Sequence, residues 1–500
     1  MRPAPNGRPV PDSWVVEDRA PDPVREAARR RPDRVALIAG ETTLTWADLD
    51  RRVDAAAGRV RALAPVGGAR VAIVQGNTVD FAVTYFGVLR AGLVAVPLNP
   101  GYTADERAYA LSDAGAALVV DGPLPDGPHT QAGPPAASDL AVLLYTSGTS
   151  GRPKGAMLTH AALAANHAQL DRISPSVVGP DDVVLLAMPL FHAYGLNTGL
   201  GTVAHHAATG VLVDRFDPAA SLEVIRRHGV TVAVGVPGMY AAWSRQPGAA
   251  DALTGLRTAV CGAAPLDPAD AARFTAVTGK TVIIGYGLTE TAPVLTTTAM
   301  SDTTKTGSIG RPLPGVSLLL RTAGGEILWR DGTASAAQDL AGPDLSVEDS
   351  AGTDPGEIVV RGANLFSGYW PDAHDGPDAD GWWGTGDVAY ADADGDLRLV
   401  DRIGELILVN GFNVYPAEIE RVLDGHPGVA EAAVVGVPDA GTGQSPHAFV
   451  VPALDPPPTP AELQAYCAAH LARYKLPTRI ELVDALPHSI IGKVRKRELT

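Results

Sequence analysis

The chain has 500 residues and a formal net charge of −16, from 40 basic and 56 acidic side chains. Its 46% hydrophobic content excludes a wholly disordered chain, and its acidity excludes a surface dominated by contacts to nucleic acid or anionic membrane. At roughly 150 residues per domain, the length suggests about three domain-sized units.

The first thirty or so residues are rich in Pro, Arg and Asp and show weak periodicity. They begin Met1-Arg2-Pro3-Ala4-Pro5, with no apolar stretch of the secretory type, and the longest apolar runs, such as Val183–Leu190, are strand-sized. A cytoplasmic location without integral membrane association is therefore expected. Two cysteines, Cys261 and Cys467, cannot make a disulfide framework.

From Val35 the pattern becomes regular. Val35–Ala39, a Gly40-Glu41 turn and Thr43–Thr45 predict a hairpin, and Asp48–Leu63 an amphipathic helix. Short strands are expected at Arg70–Val74, Val94–Val96, Ala117–Val120 and Leu140–Tyr145, with a helix at Val79–Ala91 and a Pro/Gly-rich loop at Gly122–Ala136. Further strands are expected at Val183–Met188, Gly210–Val213, Val230–Val234, Leu256–Cys261 and Val282–Gly285. This alternation predicts mainly parallel sheets covered by helices. Ala323–Pro355 is rich in Gly, Asp, Ser and Ala and reads as an irregular insertion. Strands resume at Glu357–Arg361 and Asp396–Val400. The last hundred residues alternate strands (Leu406–Val409, Val429–Val435, Ala448–Pro452) with helices (Pro416–Leu423, Pro460–Ala472), a small α+β unit.

The most informative segment follows the expected strand Leu140–Tyr145. From Thr146 to Gly155 it places Thr146, Ser147, Gly148, Thr149, Ser150, Gly151 and Lys154, which supply hydroxyls, glycines and an ammonium. Glycines let a backbone approach an anion, while hydroxyls and a lysine add donors for phosphate oxygens. The chain has only six lysines, so each carries weight. The spacing is not that of a Walker loop. Six further segments are notable: Pro189-Leu-Phe-His192, Gly262-Ala263-Ala264-Pro265, Gly285-Tyr286-Gly287-Leu-Thr289-Glu290, Trp383-Gly-Thr-Gly-Asp387, Asp401-Arg402 with Gly411-Phe412-Asn-Val-Tyr-Pro416, and Gly492-Lys493. Taken singly, each has a bland reading: Tyr286 as a core tyrosine, Asp387 as a turn residue, His192 as a buried histidine, Lys493 as part of a basic tail.

In this order and approximate spacing, the seven segments resemble the AMP-forming adenylate synthetases, the ANL superfamily, which includes acyl-CoA synthetases, peptide-synthetase adenylation domains and luciferases. The resemblance covers about Val35 to Thr500. It implies an α/β fold: a large N-terminal domain (1–400) of helix-covered, mainly parallel sheets plus a β-rich subdomain, a hinge (401–405) and a small mobile α+β C-terminal lid (406–500).

By the same resemblance, the loop from Thr146 to Lys154 cradles ATP phosphates. Gly262, Ala263, Ala264, Pro265, Gly285, Tyr286 and Gly287 frame the adenine. Thr289 touches the α-phosphate, Glu290 and Thr149 hold Mg2+, and Asp387 with Arg402 binds the ribose. His192 borders the substrate carboxylate, and Lys493 bridges the two reacting anions. Tyr194, Asn197, Gly235, Met239, Pro293 and Val294 are expected to wall the acyl pocket, and Gly411, Phe412, Tyr474 and Lys475 to contact CoA. An amino-acid substrate needs an acidic partner near Phe191-His192, and none is there. The expected reaction is ATP- and Mg2+-dependent activation of an apolar carboxylic acid and transfer to CoA. A medium- or long-chain fatty acid leads, with aryl or hydroxycinnamate acids, or loading of an acyl carrier protein, as alternatives. A binding protein that senses acyl-AMP without turnover is the competing class. At the hinge, Gly404 stands where the family usually carries Lys or Asp.

Overall fold

The structure, a computed structural model, describes residues 19–125, 134–146, 153–330, 333–334, 352–402, 405–409, 412–439, 442–471, 473–489 and 493–499. Two sheets form the base. The larger has nine strands, and its central six are parallel: Val282–Gly287, Thr258–Cys261, Val232–Gly235, Val183–Leu186, Thr209–Leu212 and Val35–Ala39. Their near-continuous Val, Ala, Leu and Ile runs suit strands buried on both faces. The second sheet runs Leu118–Val120, Arg70–Ile73, Val94–Pro97, Leu140–Thr146 and Lys154–Thr159.

Helices Trp46–Leu63 and Val79–Arg90 pack on each other and touch strands of both sheets. The first starts two residues earlier than the hydrophobic period predicts. The Thr45 hydroxyl accepts from Asp48 N at 3.1 Å and the Asp48 carboxylate accepts from Thr45 N at 3.1 Å, a reciprocal cap that sets the start.

Lys154–Thr159 was not expected as a strand. It runs antiparallel to Leu140–Thr146 with Thr146 opposite Lys154, so the phosphate-type loop joins a hairpin. A third sheet of six antiparallel strands has its own core around Leu318, Leu320, Trp329, Ile358 and Val360. It includes Ile327–Arg330 and Thr333–Ala334, so the start of the segment expected to be irregular is paired strand: Trp329 lies opposite Ala334. Its residues 335–351 lie outside the described residues.

The C-terminal unit has a five-stranded sheet carrying helices Pro416–Asp424 and Pro460–His470, over a separate core centred on Ile407, Ile419, Val434 and Leu463. Among the described residues, no helix is long and apolar enough to cross a membrane.

Candidate active site

A cavity of about 1340 Å³ lies where the C-terminal ends of the parallel strands meet the C-terminal unit. Open α/β sheets bind ligands at such strand ends. Its wall brings together Thr146, His192, Gly262, Ala263, Gly285, Tyr286, Gly287, Thr289, Glu290, Pro293, Val294, Arg402 and Lys493, from the N-terminal sheets, the antiparallel sheet and the C-terminal segment.

Glu290 is buried, and its carboxyl is pushed above the usual range by burial. The Tyr369 hydroxyl donates to Glu290 Oε1 at 2.6 Å and partly opposes that rise. The Lys154 ammonium lies 4.9 Å from the centre of the Tyr369 ring and 3.0 Å from Asp375 Oδ2. Tyr369 carries no sequence signal. It arrives because Trp370 N donates to Gly155 O at 2.8 Å and Tyr369 bridges Ala156, tying a distant loop to the hairpin.

Tyr286 is 9% exposed, and its hydroxyl donates to Asp387 Oδ2 at 2.7 Å. Arg402 Nε sits 2.7 Å from the other oxygen, Oδ1. Each carboxylate oxygen has two lone pairs, so acceptor capacity remains for a ligand.

Lys493 is held below the usual lysine value, first by burial and then by the Arg402 charge, with Glu405 and Asp387 opposing. Its segment is pinned on both sides. Ser489 N donates to Lys493 O at 2.8 Å, and Lys496 Nζ lies 2.9 Å from Glu405 and 2.8 Å from Glu420.

His192 also lines the cavity, and burial pushes its imidazole down to about 4, leaving it neutral near pH 7. It begins a stretch that sequence periodicity missed: Tyr194–Gly201 forms a π-helix, a form frequent at functional sites. A Cβ at Gly195 would stand 2.3 Å from Pro189 O, so only glycine fits this tight entry. Tyr194 lines the cavity, and its hydroxyl is shared between Gly235 O at 3.3 Å and Val260 O at 3.2 Å.

Other expected pocket residues sit behind the wall. Asn197 Nδ2 donates to Ala292 O at 2.7 Å and Leu163 O at 3.2 Å, bracing the π-helix, and Met239 is buried close to Gly235. The turn Gly262-Ala263-Ala264-Pro265 contributes its first two residues to the wall and holds Ala263 at φ 69°, uncommon for alanine.

Tyr474 and Lys475 lie apart from the cavity wall. Lys475 is buried and pairs with Glu418 at 2.7 Å. Ser147, Gly148, Thr149, Ser150, Gly151, Gly404, Gly411 and Gly492 lie outside the described residues, as does the side chain of Phe412.

The family profile described as AMP-binding enzyme matches residues 24–133 and 120–370, and that of the AMP-binding enzyme C-terminal domain matches 418–493. The chain belongs to the AMP-binding enzyme family. Among the relatives of this AMP-forming acid–CoA ligase is a feruloyl-CoA synthase of Amycolatopsis sp, 37% identical over 504 residues, covering 95% of this chain and 97% of the relative. A long-chain-fatty-acid–CoA ligase of Yersinia pestis is 32% identical, covering 95% and 92%. ATP-bound MatB from Rhodopseudomonas palustris superposes with a TM-score of 0.82 at 30% identity, covering 95% of this chain and 98% of that one. O-succinylbenzoate CoA synthetase from Bacillus subtilis, in complex with ATP and magnesium ion, does so with a TM-score of 0.80 at 28% identity, covering 96% and 99%.

The ligase thus joins a carboxylic acid to CoA at the expense of ATP. Its cavity contains residues that the motifs did not announce. Tyr369 comes from the loop between two strands of the antiparallel sheet, Glu405 follows the last strand of that sheet, and Leu170, Ile173 and Val177 come from helix His160–Leu170 and the loop after it.

Proposed function

We propose that this ligase activates a medium- or long-chain fatty acid. The observation that carries the reading is the apolar extension of the cavity. Beside Pro293 and Val294 its wall carries the apolar residues Leu170, Ile173, Val177, Val178, Val234 and Val260, together with Thr202 and His206. Tyr194 and His206 lie twelve residues apart on consecutive helical segments, on the order of 15 Å of axial rise. Such depth and lining suit a flexible apolar chain. Hydroxycinnamate is the second reading, favoured by the 37% identity to a feruloyl-CoA synthase. Against it, the Tyr194 hydroxyl is already engaged with backbone carbonyls.

In our reading the substrate carboxylate lies beside neutral His192 and attacks the ATP α-phosphorus, with pyrophosphate leaving. Lys493 lies over the two anions and stabilises the charge that builds as the new P–O bond forms. Thr146 and Lys154 hold phosphate oxygens, together with Ser147, Gly148, Thr149, Ser150 and Gly151. Thr289 contacts the α-phosphate. Tyr286 stacks on the base, and Asp387 with Arg402 accepts and orients the ribose. Glu290, a buried carboxylate facing the cavity, fits Mg2+, and Thr149 would complete the set. A bound cation would favour the ionised form of Glu290 and neutralise phosphate charge.

In the second step a thiol attacks the acyl carbon and AMP leaves. Residues 406–500 act as a lid that turns about 401–405, carrying Lys493 away and bringing Gly411 and Phe412 to the CoA arm. Lys475 joins the CoA site only if its pair with Glu418 is exchanged for phosphate, and Tyr474 stands beside it. Initial rates of AMP release with octanoate, palmitate and coumarate test the reading. Preference for coumarate, with palmitate unused, overturns it. Acyl-AMP that builds up without acyl-CoA points instead to a carrier-protein acceptor.

A further inference from the structure

We propose that Asp171, His205 and His206 form a binding site for a divalent transition-metal ion of the zinc class, at the end of the cavity remote from the nucleotide. The placement at a cavity end rests on the acyl-channel reading above; the site itself does not.

His205 Nε2 lies 2.7 Å from Asp171 Oδ2, and His206 Nε2 lies 3.2 Å from Asp171 Oδ1. One ligand atom from each of the three side chains lies within 4.8 Å of the others. Asp171 caps helix His160–Leu170, and the histidines end helix Thr202–His206, so two separate elements converge on one point. The site is partly built. The His167 ring stacks on His205 with centroids 5.1 Å apart, and Arg30 Nη2 donates to the His205 carbonyl at 2.7 Å. His167 Nε2 is bonded to Asn197 O at 3.0 Å, which fixes the ring that stacks on His205. Side-chain exposures of 39% for Asp171, 34% for His205 and 18% for His206 leave a route for an ion and freedom to close on it.

Two imidazoles and one carboxylate suit zinc, which binds nitrogen at about 2.0–2.1 Å and keeps an open position where protein supplies three ligands. A magnesium or calcium site would need mostly oxygen donors. His206 and Thr202 line the cavity, so an ion here narrows it at that wall.

The test is calorimetry of the full-length protein, freed of any polyhistidine tag and of metal, titrated with zinc chloride in the absence of acid and ATP. One zinc per chain is expected. D171N, H205Q and H206Q should each weaken binding at least tenfold, with circular dichroism and melting temperature in chelator matching the parent. A Co2+ titration should give visible absorption bands that the variants lose. No zinc heat, or equal affinity in all variants, overturns the proposal and leaves the three side chains an ion pair only. A second measurement reads the cavity link: zinc should raise KM for palmitate and spare butyrate. An equal effect on both acids overturns the placement while calorimetry still reports on the site.

Discussion

The Arg402 guanidinium and the Asp387 carboxylate meet at 2.7 Å across paired strands, where the two residues are register partners. Asp387 takes a second hydrogen bond from Tyr286, so one carboxylate ties Tyr286 to the strand Leu397–Arg402. Asp387→Asn keeps the shape and removes the charge. It should raise KM for ATP roughly 10- to 100-fold, the scale of a charge-assisted hydrogen bond. Pyrophosphate exchange measures this, and a KM within twofold of the parent would remove Asp387 from the nucleotide site.

Lys493→Ala should lower adenylation by about 100-fold or more, as loss of a transition-state cation does, while thiol transfer from supplied acyl-AMP survives. Burial and the neighbouring Arg402 charge hold Lys493 below the ordinary lysine value. In the proposed role the ammonium is the working form, so adenylation should fall on the alkaline side earlier than an ordinary lysine would titrate. Lys493→Arg should push that limb upward. An alkaline limb unmoved by this change assigns the titration to another group.

Tyr369→Phe removes the donor to Glu290, the largest of the influences that oppose the effect of burial. Glu290 then takes up its proton at higher pH, and the acid limb of Mg2+-dependent activity should move to higher pH. Rate profiles at limiting Mg2+ read this; superimposable profiles for parent and variant contradict it.

Gly285 and Gly287 should respond in opposite ways. A Cβ at Gly285 meets nothing within 4 Å, whereas one at Gly287 would stand 1.7 Å from Pro293 O. Gly285→Val should therefore fold with a parental melting temperature and shift acid preference by filling cavity space. Gly287→Ala must displace backbone and should lose solubility or stability. Melting curves and a panel of acids distinguish the two.

Lys496 bridges Glu405 and Glu420 in a largely buried arrangement. Lys496→Ala leaves two carboxylates facing each other and should cost about 3 kcal/mol. The triple change Lys496→Met, Glu405→Gln, Glu420→Gln should recover much of it. Denaturant midpoints test both, and a triple variant no more stable than the single one argues against the bridge.

The sequence carried the fold class and the parallel strands because apolar runs and turn residues lie within a few positions of one another. It carried the motif positions because each is a short run of unusual residues: those at Pro189 and Gly262 follow strands, while Gly285–Gly287 and Trp383–Asp387 lie within them. Its misses have one pattern. The strand Lys154–Thr159 was hidden because only pairing with Leu140–Thr146 makes it a strand. The π-helix at Tyr194 was hidden because its form depends on packing against Pro189 and Asn197's distant carbonyl partners.

Local chemistry in the chain therefore singled out candidate nucleotide contacts, since glycines, hydroxyls and single charged residues gather in short motifs. The folded molecule alone decided which partners tune them. Tyr369 reaches Glu290 from 79 positions away, and Tyr286 reaches Asp387 from 101. Such pairs arise from the joint burial of several sheets, a property of the whole packed chain that no short window of residues contains.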